Sequence, residues 1–271
     1  MVDNHFGSLI MEDTQGDGPC VVMIHGLGGS ANTFEPLMPE LDDYRVVRID
    51  TPGAARSAYR PSARTIADLT RAITEALKAV RIERAFIAAH SMGTLLAQHM
   101  VVTEPARVSG MLLFGAMTEP PEAARLALKA RAVTAKKEGM ASVATAVANG
   151  SLSSATKNSN PAAFAFVRES LMRQDPYAYA SHCLALSEAQ AYRLSDVHCP
   201  VTLVTGSEDP ITPPAMARTL HADLPQSNLI MLPDVGHWPT IEAAQQSSLC
   251  LSTALTELKN SKTQTSGAEH G

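Results

Sequence analysis

The sequence predicts an α/β fold: a mostly parallel, doubly wound sheet, interrupted once by a helical insertion. Two observations lead there. Six short apolar runs, each of strand length, recur along the chain with helical stretches among them, as strands covered on both faces do. After Met117 that rhythm stops, an Ala-rich helical stretch takes over, and the rhythm resumes at Val201. A chain of 271 residues with 45% hydrophobic content is long enough to bury one large core with an insertion.

The runs are CVVMIHG (20–26), YRVVRID (44–50), AFIAAHS (85–91), GMLLFGA (110–116), VTLVTG (201–206) and NLIMLP (228–233). Between the second and third, Ile66, Leu69, Ile73, Leu77 and Val80 recur at spacings of three and four, which marks one buried face of a helix over 65–80. Strand, helix and strand in that order imply a parallel pairing with a crossover. The expected organisation is a core over 1–117 and 196–258 with a helical cap over 118–195. The polar stretch 149–161 reads as a loop inside the cap, and 259–271 as a flexible tail.

Composition narrows the function. A net charge of −5 and no run of Lys or Arg give no electrostatic footprint for nucleic acid or an anionic membrane surface. A small molecule is the expected partner. No cationic segment precedes an apolar stretch near the N-terminus and no span-length apolar window occurs, so a cytoplasmic protein is expected. Cys20, Cys183, Cys199 and Cys250 are scattered and never form C-x-x-C, which suits reduced, structural thiols. Sequence leaves monomer and homodimer both open.

Chemistry concentrates at the ends of the runs. Ser91 closes the third, in HSMG; Asp209 follows the fifth, in GSEDPITP; His237 follows the sixth, in PDVGHWP. Carboxyl ends of parallel strands share one sheet edge, so these three can converge as nucleophile, orienting acid and base. Each has a plainer reading. Ser91 could be a helix N-cap. Asp209 could be a turn former with Glu208 as the acid, although the spacing of Gly206, Asp209 and Pro213 favours Asp209. His237 could be structural, or partnered by Asp234 three residues upstream. His25 and His90 invite a metal hypothesis but lack paired spacing and a third ligand, so no metal and no cofactor is expected.

The order serine, acid, histidine resembles that of the α/β-hydrolase superfamily. HGLGGS (25–30), DTPGAARS (50–57), HSMG (90–93), GSEDPITP (206–213) and GHWP (236–239) match it in sequence order, over about residues 5–258. The resemblance implies an oxyanion hole from the backbone N–H groups of Leu27 and Met92. Two positions depart from its pattern. Ala89 stands two before the serine where glycine is usual, and a small residue is all that position requires. Ala55 replaces a frequent glycine in the 50–57 loop. Gly93 is the stricter site, since a side chain there would press helix against strand.

Within the insertion, Met172, Asp175, Pro176, Tyr179, Ala180 and Cys183 keep an M-x-x-D-P-x-x-Y-A-x-x-C spacing that resembles the cap of 3-oxoadipate enol-lactonases. The implied activity is hydrolysis of a small carboxylic ester or lactone through an acyl-enzyme, without cofactor. A C–C bond hydrolase or perhydrolase using the same triad, and a non-turnover ligand receptor, are the alternatives. His25, Gly26, Trp238, Arg131, Arg168 and Met172 are the pocket candidates. The carboxylate of such an enol-lactone would need a cation or a helix N-terminus in the pocket, and Arg56, Arg131, Arg168 and Arg173 are the candidate cations.

Overall fold

A computed structural model describes the backbone of residues 1–6 and 9–268 and the side chains of the same residues up to 260. It contains a sheet of eight strands in the order β1-β2-β4-β3-β5-β6-β7-β8. The six expected runs are β3 (Cys20–Ile24), β4 (Arg45–Asp50), β5 (Ala85–His90), β6 (Val108–Phe114), β7 (Val201–Gly206) and β8 (Ser227–Leu232), and every pairing among them is parallel. The sequence reading missed the edge hairpin. Strands β1 (Val2–Phe6) and β2 (Leu9–Asp13) pair antiparallel, and β2 then pairs antiparallel with β4. In β2 only Leu9, Met11 and Asp13 turn inward, a period-two pattern too short and too acidic to stand out as an apolar run.

Alternation accounts for the uniform runs. In β3, Val22 and Ile24 enter one core while Val21 and Met23 enter another on the opposite face. The same division holds in β5, with Ile87 and Ala89 on the first side and Phe86 and Ala88 on the second. Helix α1 (Ile66–Ala79) lays Ile66, Leu69, Ile73 and Leu77 on the first core; burying each such side chain contributes roughly 1.5–3 kcal/mol. Its start is fixed by a capping box in which Thr65 and Asp68 satisfy each other's backbone amides. Helix α2 (Met92–Thr103) adds Leu95, Leu96 and Met100 to the same side.

Five helices separate β6 from β7: α3 (Glu122–Glu138), α4 (Met140–Ser151), α5 (Ser154–Ser159), α6 (Pro161–Met172) and α7 (Pro176–Ser187). The expected internal loop over 149–161 is therefore largely helical. Ser153 caps α5 by accepting the Thr156 amide at 3.0 Å, and the Ser and Asn residues that suggest a loop are serving as caps. Helix α8 (Pro214–Asp223) joins β7 to β8, and α9 (Pro239–Glu242) and α10 (Ala244–Ala268) follow. Leu251 and Leu255 of α10 cover the second core with Phe34 and Leu37 of a 3-10 segment at Ala31–Glu40. The stretch expected as a tail is helical through Ala268, and 269–271 lie outside the described residues. The four cysteines are free thiols. Among the described residues no helix is long and apolar enough to cross a membrane.

This order places the chemistry. From β3 the chain moves to β4 on one side and then, through α1, to β5 on the other. The carboxyl ends of β3, β5, β7 and β8 therefore open on one edge of the sheet, beside the point where its winding reverses.

Candidate active site

Strand β5 ends at His90 and α2 begins at Met92, so Ser91 alone makes the turn. It takes φ 52° and ψ −122°, a conformation that L residues rarely adopt. Its amide donates to the Phe114 carbonyl of β6 at 2.9 Å. Ser91 does occupy the N-cap position of α2, but its side chain makes no capping bond. The hydroxyl instead lies 2.8 Å from His237 Nε2.

The tightness of that turn explains its neighbours. A Cβ at position 93 would lie 2.2 Å from the Ile24 carbonyl oxygen and 2.7 Å from that of His25, so only glycine lets α2 start so close to β3. Ala89 is fully buried opposite Ile24 and is not among the residues with positive φ, which is why alanine serves there. Ala55 differs: it takes φ 47°, the left-handed region that glycine enters at least cost. Its amide donates to Gln174 Oε1 at 3.0 Å.

His237 stands in the turn after β8, and Asp209 in the turn after β7. The imidazole Nδ1–H donates to Asp209, with Oδ2 at 2.9 Å and Oδ1 at 3.1 Å, which leaves Nε2 free to accept from Ser91. Asp209 also accepts the amides of Ile211 and Thr212 at 2.8 and 2.9 Å and the Thr212 hydroxyl at 2.6 Å. Burial alone would raise its pKa, but the facing His237 and the Thr212 hydrogen bonds outweigh burial and hold it below the ordinary aspartate value. The sequence reading passed over Thr212. The signal was present in D-P-I-T, since an Asp side chain commonly caps the amides two and three residues on.

Neither rival acid is hydrogen-bonded to His237, whose Nδ1 is taken by Asp209. Glu208 accepts the Ser154 amide at 2.9 Å. Asp234 is exposed, with φ 57°, and its amide donates to Ser207 Oγ at 2.9 Å. Both other histidines near the site are bound to backbone. His25 Nδ1–H donates to the Gly26 carbonyl at 2.8 Å and Nε2 accepts the Thr51 amide at 3.1 Å. His90 Nε2–H donates to the carbonyl of His237 at 2.7 Å. Burial, reinforced by the neighbouring His237, depresses the His90 pKa to about 3, so it is a neutral prop beneath the His237 loop.

That loop is also tied to the helical insertion. The His237 amide donates to the Ser151 carbonyl at 2.8 Å, and the Trp238 indole N–H donates to Ser151 Oγ at 3.0 Å. Glu242 accepts three amides, from Ser153 at 2.8 Å, Gly236 at 3.1 Å and Trp238 at 2.9 Å. Neither Ser151 nor Glu242 was identified from sequence.

Ser91 and His237 open on a cavity of about 230 Å³. Of the oxyanion-hole and pocket residues expected from sequence, Leu27, Arg131 and Trp238 border it with them. His25, Gly26, Arg168 and Met172 do not, which corrects the expected pocket. His25 faces Thr51, and Gly26 lies behind Ser91, where a Cβ would come within 2.7 Å of the serine Cβ. Arg168 of α6 reaches Thr145 in α4 at 3.1 Å, and Met172 packs against the core. Met92 is fully buried, and as the first residue of α2 it has an N–H without an intrahelical partner. The walls are otherwise mostly apolar, with Met117, Leu128, Val147, Ile211 and Met216 among them.

Comparison with known proteins agrees with this architecture. The family model described as "Serine aminopeptidase, S33" matches residues 18–243. A Variovorax paradoxus protein named "Putative carbamate hydrolase RutD" is 34% identical over 107 residues, covering 38% of this chain. The aligned stretch spans about two fifths of that relative's length, 40%. An esterase from Thermogutta terrifontis superposes with a TM-score of 0.87 at 22% identity, covering 92% of this chain and 93% of that one. An enol-lactonase from Burkholderia xenovorans LB400 superposes with a TM-score of 0.84 at 24% identity, covering 94% and 100%. These likenesses show an α/β-hydrolase fold.

Proposed function

We infer the function of a chain that belongs to the serine aminopeptidase S33 family of α/β hydrolases, and propose that it cleaves a small carboxylic ester or lactone through an acyl-enzyme on Ser91. One observation carries this reading: the Ser91 hydroxyl, on a strained turn at the cavity floor, lies 2.8 Å from His237 Nε2, whose other nitrogen is held by Asp209.

In this reading His237 Nε2 takes the Ser91 proton as Oγ attacks the acyl carbon, and Asp209 stabilises the imidazolium that forms. The oxyanion accepts the N–H groups of Leu27 and Met92, each worth about 3–4 kcal/mol of barrier lowering. His237 then protonates the departing alkoxide. A water deprotonated by the same nitrogen attacks the acyl-enzyme and releases the acid, regenerating Ser91. Helices α3 to α7 act as the cap that walls the cavity and excludes bulk water.

The test is steady-state hydrolysis of short p-nitrophenyl esters and small lactones by the wild type and Asp209→Asn. The wild type turns over at least one member, and Asp209→Asn lowers kcat by about 10⁴-fold while its thermal unfolding stays cooperative. Equal rates from both proteins would remove the triad from the mechanism.

A further inference from the structure

The two N–H groups that would meet the oxyanion are held in different ways. Met92 opens α2, so the helix itself aims its amide. Leu27 lies on a loop, in the turn Gly26-Leu27-Gly28-Gly29, which is closed by the Gly29 amide on the Gly26 carbonyl at 3.0 Å. Gly28, third in that turn, takes φ 77°, while Leu27 is not among the residues with positive φ, the pattern of a type II turn. Among the described residues no carbonyl accepts the Leu27 N–H.

Two planar peptides decide where that N–H points. In the first, the Gly26 carbonyl and the Leu27 N–H point in opposite directions within one rigid plane, so whatever holds the oxygen aims the hydrogen. The Gly26 oxygen is held by the Gly29 N–H and by His25 Nδ1–H at 2.8 Å. In the second peptide the Gly28 carbonyl points away from the Gly29 N–H in the same manner, and there it meets the helical insertion. It accepts the Ser170 hydroxyl at 2.8 Å and Gln174 Nε2–H at 3.3 Å, and the Gly29 carbonyl accepts Nε2–H at 3.1 Å.

Both side chains are buried, and Gln174 is committed at each end of its carboxamide. Its oxygen accepts the Ala55 amide at 3.0 Å and its nitrogen also donates to the Ser170 carbonyl at 2.8 Å; an amide only donates and a carbonyl only accepts, so the reversed orientation would satisfy neither. Gln174 sits at the corner between α6 and α7. The next residue, Asp175, fixes that corner by accepting the Tyr177 and Ala178 amides at 2.9 and 2.8 Å. The turn also has no room to shift toward the insertion, since a Cβ on Gly28 would stand 2.5 Å from Leu171 Cδ2 and 3.2 Å from Tyr179 Cε2.

We propose that Ser170 and Gln174 are positioning residues for the oxyanion hole: they hold the Gly28–Gly29 peptide, which through the Gly29 N–H and the Gly26 carbonyl aims the Leu27 N–H into the cavity. The inference rests on the serine-hydrolase reading for its catalytic consequence but not for the bracing of the turn. A catalytic group displaced by about 1 Å can cost about 100-fold in rate, so the effect is measurable. The probe is p-nitrophenyl butyrate beside its thiono analogue, in which C=S replaces C=O. A sulfur anion is larger and accepts hydrogen bonds less well, so the ratio of kcat/KM, oxo over thiono, reports the hole, and any general loss cancels within one protein. Ser170→Ala lowers that ratio several-fold, and Ser170→Ala with Gln174→Met lowers it by about tenfold or more, with KM for the oxo ester nearly unchanged.

Equal ratios in the wild type and both variants would overturn the proposal. Should the double variant fail to fold, Ser170→Ala, which deletes one oxygen, carries the test alone. Amide hydrogen exchange followed by NMR keeps the bracing testable if neither ester turns over, a result that would count against the hydrolase reading alone. Exchange of the Gly29 amide at least about tenfold faster in Ser170→Ala, with the amides of β5 and β6 at wild-type rates, supports the bracing; unchanged Gly29 exchange rejects it.

Discussion

Ser91 fits its strained turn because its neighbours are small, and the three small positions around it are not equivalent. Gly93 faces backbone oxygens that cannot move, so Gly93→Ala should destabilise by about 3 kcal/mol and give little folded protein in urea titration. Ala89 has no positive φ to relieve, and Ala89→Gly should cost under about 1 kcal/mol. Ala55 holds φ 47°, so Ala55→Gly should stabilise by about 1 kcal/mol in the same titration; a loss of stability would show that its methyl contributes more by packing than its backbone costs by strain. Ser91, Asp209 and His237 were legible in the sequence because each follows an apolar run, and strand ends share an edge whatever the intervening chain does. Thr212 was legible in principle, as part of an Asp-capped turn.

At the scale of elements, the His237 loop depends on the insertion as much as on the sheet. Glu242 at the end of α9 gathers amides from Ser153, Gly236 and Trp238, so Glu242→Ala should lower stability by about 2–3 kcal/mol. It should also lower kcat more than it raises KM, because the loop that it holds positions the imidazole rather than the substrate; unchanged kcat would place the loop's rigidity elsewhere. These contacts explain the limits of sequence reading. Glu242 and Ser151 bear on the site through backbone atoms of a distant segment, and no local pattern records which amide a carboxylate will meet. The β1–β2 hairpin leaves no apolar run for a related reason, since edge strand β1 has no fully buried side chain and β2 buries only alternate ones. The stretch 149–161, which holds the two-residue seam between α4 and α5, reads as loop in the sequence because caps and loops use the same residues.

Across the whole molecule, buried neutral histidines link folding to pH. Burial lowers the pKa of His90 to about 3 and, with the same cause leading, that of His182 to about 4. Their unfolded counterparts titrate near the ordinary value of 6.5, so between those limits the unfolded chain binds more protons. Stability therefore falls as pH drops from about 6.5 toward 4. His182 Nε2–H donates to the Pro52 carbonyl at 2.8 Å, a bond that a glutamine amide can also supply, and His182→Gln should flatten that slope in thermal melts; an unchanged slope would assign it to other groups. Asp209 acts in the same direction at lower pH, since a carboxyl held below the ordinary aspartate value binds its proton more readily in the unfolded chain, and the stability it contributes is lost as pH falls below the ordinary carboxylate range. Sheet edge, insertion and buried network converge on one serine, and the most direct test of the account is to trap it. Acid quench of a chromogenic ester reaction in its first turnover, followed by peptide mass mapping, should find the acyl group on the peptide containing Ser91 and none in Ser91→Ala. An acyl group on another residue, or full turnover by Ser91→Ala, would contradict the account.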